Sequence, residues 1–182
     1  RSSDLFNPKT RYTEEGIDGL FTLTDALGNL AMGSNIKTPK VPKTNFNRTA
    51  HIDRIRARKS TYVNPSNDHH ILPKSLRNDP VIQAAERAGL QFDADLTSAN
   101  LNGNLIPLES YRISNGRRTH NGNHPDYSKR VADQLNEFKK KYTTYSDQQA
   151  FDHVRKIQNG VLESINNNPT TKITELQFTP KP

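Results

Sequence analysis

The sequence predicts an α+β fold, mainly helical outside a small strand-bearing core, and three features carry that expectation. Two apolar stripes at helical spacing fill the last third of the chain, a capped helix stands near its middle, and a short apolar run after an Asn-Gly turn reads as a strand. Tyr127, Val131, Leu135, Phe138 and Tyr142 recur at i, i+4, i+8, i+11 and i+15, the spacing of one helix face. Ser146 and Gln149 form a capping box ahead of the second stripe, Phe151, Val154, Ile157, Val161 and Ile165, which Asn166-Asn167-Asn168-Pro169 stops. Asp79-Pro80 is an N-cap with proline in the first turn, and Val81, Ile82, Ala85 and Ala88 continue that helix until Gly89. The strand is Leu105-Ile106-Pro107-Leu108, following Asn102-Gly103.

Apolar content is thin: Leu, Ile, Val and Phe total 39 of 182 residues, only just above the roughly 20 % at which disorder becomes the default. The core is therefore expected at residues 46–166, with poorly packed ends. Residues 1–45 read as a linker or N-terminal extension, because Lys37 to Thr44 (KTPKVPKT) combines two prolines with three lysines; a short helix or hairpin is placed at Ile17 to Met32. Residues 167–182 read as a C-terminal tail with some strand character at Ile173 to Phe178, frayed by Pro180 and Pro182.

The formal charge is +7, with 26 Lys and Arg against 19 Asp and Glu, which favours a polyanionic partner. The excess is concentrated, since Lys37 to Asn78 holds ten basic residues and two acidic ones. Arg54, Arg56, Arg58 and Lys59 fit either a solvated helix face or a phosphate-facing surface. No apolar run approaches the roughly 20 residues that span a bilayer, so no membrane partner is expected. With no cysteine in the chain, disulfides, thiolate zinc sites and cysteine nucleophiles are excluded, and any metal falls to His, Asp, Glu or Asn.

That puts weight on the six histidines, four of which form two pairs, His69-His70 and His120-x-x-x-His124. Adjacent residues of a strand point to opposite faces, so one of His69 and His70 can bind a metal while the other faces a substrate. His120 and His124 would share an ion if helical, although Asn121-Gly122-Asn123 is poor helix and Pro125 favours a helix start, which sets His124 at the N-terminus of the helix carrying Tyr127. His51 and His153 read as surface histidines without a role.

The order Asp68-His69-His70-Ile71-Leu72-Pro73-Lys74, Asn104-Leu105-Ile106-Pro107-Leu108, then His120 to Tyr127, resembles the HNH/endonuclease VII superfamily of ββα-metal (His-Me finger) nucleases. Within it the chain is similar to bacterial polymorphic-toxin nucleases marked by Ala-His-His or Gly-His-His, over roughly Asp68 to Leu135. The resemblance implies two short strands and a helix around one divalent ion. It also implies a register in which the general-base histidine stands three positions before the motif proline, so that Pro73 selects His70 and leaves His69 as the first ligand. His120 and His124 match the remaining ligands, and Asn104 the catalytic-core asparagine that braces the loop. Asp68 replaces the small residue of the signature, either touching the metal shell or orienting a ligand imidazole.

On this reading His70 activates water, and the ion held by His69, His120 and His124 is a Lewis acid at the scissile phosphate. Imidazole ligands suit zinc or nickel, while an open hydrated site also admits magnesium or manganese. Lys74, Arg77, Arg112, Arg117 and Arg118 are either phosphate clamps or solvated charges. The resemblance implies a largely sequence-nonspecific DNase acting as the C-terminal toxin domain of a secreted bacterial effector in the cytoplasm of a target cell. A start at Arg1 without Met agrees with an N-terminal delivery module upstream, and an acidic immunity protein is the expected partner. The alternatives are an RNase of the same fold and a basic nucleic-acid-binding module with a structural metal.

Overall fold

A computed structural model describes residues 46–110 and 124–182. The expectations at Ile17 to Met32 and for His120, Arg112, Arg117 and Arg118 lie outside the described residues. The described residues form four α-helices, α1 (Arg48–Arg58), α2 (Pro80–Arg87), α3 (Pro125–Lys141) and α4 (Asp147–Asn167), and three strands, β1 (Ser66–His70), β2 (Gln91–Asp95) and β3 (Gly103–Glu109). None of these helices is long and apolar enough to cross a membrane.

The helices form where the sequence signals them. Asp79 caps α2 by accepting from the Val81 N–H, with Pro80 at the first helical position, and Ser146 and Gln149 make the reciprocal capping box of α4. The stripe of α3 is buried at Tyr127, Val131, Leu135 and Phe138, and that of α4 at Phe151, Val154, Ile157, Val161 and Ile165. α4 is the spine against which α1 and α2 pack.

β3 is the centre of the sheet, with strand order β1-β3-β2. It runs antiparallel to β1, with His69 opposite Ile106 and His70 opposite Leu105, and parallel to β2 with an irregular register between Gln91 and Asp95. Pro107 is tolerated in this central strand because β2 pairs only as far as Leu105, so β3 has a single neighbour where the proline stands. Gly103 pairs with Gln91, and because of the irregular register a Cβ there would lie 2.2 Å from the Asp95 carbonyl oxygen.

Two expectations are corrected. The segment after Asn167 is docked rather than frayed: Ile173 and Leu176 are buried at 3 % and 1 % exposure, Phe178 packs on the core, and the Lys181 N–H donates to the Lys156 carbonyl at 2.8 Å. Gly160 makes this possible, since a Cβ would lie 2.1 Å from the Thr179 carbonyl oxygen. The arginines of α1 are largely structural. Arg58 donates to the Ile165 and Asn166 carbonyls, which the end of α4 leaves without helical partners, and Arg56 donates to the Leu96 carbonyl at 2.7 Å. Arg48 is buried and donates to Asn159, Gln158 and the Leu101 carbonyl; burial, reinforced by Arg155, pulls its pKa down to about 9. Within the charge run Arg56 and Arg58 are thus long-range anchors, which periodicity does not reveal, while Arg54 and Lys59 are exposed.

Candidate active site

The last two residues of β1 divide as a strand requires. His69 is 1 % exposed, while the side chain of His70, 14 % exposed, lies on the other face. Against His69 lie the rings of His124, with centroids 5.0 Å apart, and Tyr127 at 5.2 Å. His124 is the N-cap residue of α3, ahead of Pro125, and its imidazole does not cap the helix. Tyr127, fully buried in the first turn, donates its O–H to the Ile71 carbonyl at 2.6 Å, tying α3 to the chain just after the two histidines. Burial raises the phenol pKa far above its ordinary value, so Tyr127 acts as a neutral hydrogen-bond donor.

The loop after His70 is held by Asn104, which is fully buried. Its Oδ1 accepts from the Leu72 N–H at 2.8 Å and from Gln158 at 3.1 Å, while its Nδ2 donates to the Leu72 and Phe92 carbonyls at 3.1 and 3.3 Å. Two donated and two accepted bonds saturate an asparagine side chain. Asn104 therefore braces the segment after β1 against β2 from inside, the loop-bracing part that the resemblance implies for it.

His70 has a partner that the sequence did not signal. Its Nε2 lies 3.1 Å from Asp93 Oδ1, and Asp93 Oδ2 lies 2.5 Å from Arg77 Nη1. The hydrogen bonds from His70 and Arg77 hold the Asp93 carboxyl below the usual carboxylate range, so it is ionised and can only accept. Nε2 consequently carries the proton, and Nδ1 of neutral His70 is the acceptor. Burial lowers the His70 pKa, with Lys74 and Arg77 reinforcing this and Asp93 opposing it, which keeps the ring neutral at pH near 7. Asp93 belongs to β2, a strand whose only sequence signal was the alternation of Gln91-Phe92-Asp93-Ala94-Asp95.

Asp68 is exposed and, by strand alternation, shares the face of His70 rather than that of His69. Lys74 is exposed on the short turn Lys74–Leu76, near His70. Arg77 is engaged by Asp93 and Glu86 and lies over the Phe92 ring at 5.2 Å. The two remaining histidines are structural rather than surface groups: His51 stacks on Phe46 and meets Asn166, and His153 stacks on Phe138 and reaches the Gln134 carbonyl.

No group of three or more His, Asp or Glu that could hold a metal ion occurs among the described residues. The separation of the His69 and His124 rings is the one that two imidazoles sharing an ion would have. Two imidazoles bound tetrahedrally at about 2.0–2.1 Å have ring centres about 5 Å apart, and theirs are 5.0 Å apart.

A short antiparallel strand pair carrying adjacent histidines, closed by a helix that brings a third, is the architecture of a ββα nuclease. The match to a known family agrees: a nuclease family of the HNH/ENDO VII superfamily with conserved AHH covers residues 53–161, more than half of the chain. The chain belongs to this AHH family and is a nuclease. No curated protein matches it, and no solved structure does.

Proposed function

We propose that the chain is a metal-dependent endonuclease that hydrolyses phosphodiester bonds of DNA with little sequence preference. The observation that supports this reading is the split at the end of β1: His69 faces a second imidazole across 5.0 Å, while the neighbouring His70 offers Nδ1 to the other side. His69 and His124, with His120, would hold one divalent ion, Zn, Ni, Mg or Mn. That ion, when bound, supplies Lewis-acid polarisation of the scissile phosphate and stabilises the leaving oxygen.

His70 performs the proton chemistry. Its Nδ1 takes a proton from water as the water oxygen bonds to phosphorus, and the P–O bond to the leaving sugar oxygen breaks. The imidazolium that forms is stabilised by Asp93, to which Nε2–H already donates. Lys74, exposed beside this face, is a candidate contact to the flanking phosphate, and Arg112, Arg117 and Arg118 carry the same proposed role.

The toxin reading rests on the Ala-His-His-type signature alone: the domain acts in the cytoplasm of a target cell after secretion by a bacterial producer, joined to an N-terminal delivery module and restrained by an acidic immunity protein. The test is incubation of the purified chain with supercoiled plasmid and, separately, single-stranded RNA, with and without a chelator. Plasmid nicking that chelation abolishes is the expected result. Tight, salt-dependent DNA binding without nicks would favour the structural-metal binding module, and cleavage of RNA alone would favour the RNase.

A further inference from the structure

We propose that Asp93 and Arg77 form a positioning pair that fixes the ring orientation and tautomer of His70, making β2 part of the active site. The inference rests on the reading of His70 as the water-activating base. Both carboxylate oxygens are engaged, Oδ1 by His70 Nε2 at 3.1 Å and Oδ2 by Arg77 Nη1 at 2.5 Å, so the plane of the carboxylate is set from two sides. Arg77 is itself anchored, with Nη2 at 3.6 Å from Glu86 on α2 and its guanidinium 5.2 Å from the Phe92 ring centre. That same ring lies 5.5 Å from the His70 ring, and Phe92 is buried at 2 % exposure. The carbonyl of Phe92 accepts from Asn104, which also grips Leu72 two residues beyond His70. The base and its orienting carboxylate are thus referenced to one buried side chain.

The two side chains of the ion pair are about half exposed, at 50 % and 51 %. Exposed pairs contribute little to stability. What this pair supplies is geometry: with Nε2–H tied to a carboxylate, Nδ1 is the lone-pair nitrogen and points away from Asp93. Arg77 holds the carboxylate rather than a phosphate.

The test combines a spectrum with kinetics on the full chain. In the imidazole nitrogen-15 spectrum at about pH 8, above the ordinary imidazole range, wild-type His70 is expected as the single Nε2–H tautomer, its signals assigned by their loss in His70→Ala. Asp93→Ala should give a tautomer mixture and lower kcat by roughly ten- to a hundredfold, with KM and the thermal midpoint nearly unchanged. Asp93→Asn, nearly isosteric, serves if Asp93→Ala does not fold, and it should also lose the single tautomer. Arg77→Met should lower kcat by a smaller factor without raising KM. An unchanged tautomer in the Asp93 variants overturns the pair whatever the rates do, and a raised KM at unchanged kcat in Arg77→Met overturns the part of Arg77. A wild-type chain that fails to cleave refutes the nuclease mechanism, while the spectrum still decides the pair.

Discussion

At the scale of single residues, the site is built by side chains that never meet a substrate. Asn104 saturates itself on Leu72, Phe92 and Gln158. Replacing it with Ala leaves several buried backbone groups unpaired, at about 1–3 kcal/mol for each. Asn104→Ala should therefore lower the unfolding free energy by more than about 2 kcal/mol in urea titration, and an unchanged midpoint would show that the loop holds itself. Tyr127→Phe removes one O–H and orphans the Ile71 carbonyl. It should cost about 1–3 kcal/mol on the same measurement, with the packing against His69 and His124 preserved. His69, His70 and His124 were legible in the sequence because their chemistry depends on residue type and spacing. Asp93 was not, because an exposed aspartate 23 positions from its histidine carries no local pattern.

At the scale of elements, the signals that succeeded were the periodic ones. Caps and apolar stripes located α2, α3 and α4 to within a residue or two. β1 has almost no apolar pattern, since Ser66-Asn67-Asp68-His69-His70 is polar throughout, and only the family resemblance marked it as a strand. The tail misled for the opposite reason. Its prolines suggest fraying, yet Ile173 and Leu176 bury themselves and the backbone at Thr179 lies against Gly160. Gly160→Ala must push that backbone away, and overpacking of this kind costs about 1–3 kcal/mol. Trypsin cleavage at Lys172 should accelerate in Gly160→Ala; cleavage at the wild-type rate would mean that the tail is not held there.

At the scale of the molecule, the charge that first suggested a polyanion turned out to be divided. Arg48, Arg56 and Arg58 tie helices and loops together, while Lys74 stays exposed near His70. Stability should follow pH through the half-buried histidines. Burial lowers the pKa of His51, with Arg54 adding to the effect, and burial likewise lowers that of His153. Their folded values lie below the unfolded value of about 6.5, so the unfolded chain binds more protons as pH falls through that range. The stabilisation is complete above the unfolded pKa and is lost on acidification, and denaturant midpoints should decline from about pH 7 to pH 5. His153→Gln should flatten that decline; an equal slope would assign it to other groups. The division of labour between His69 and His70 is decided by calorimetric titration of zinc or nickel into wild type, His70→Ala and His124→Ala. His70→Ala should bind the ion as wild type does, and His124→Ala should bind it at least tenfold more weakly. Loss of binding in His70→Ala with retention in His124→Ala would contradict that division.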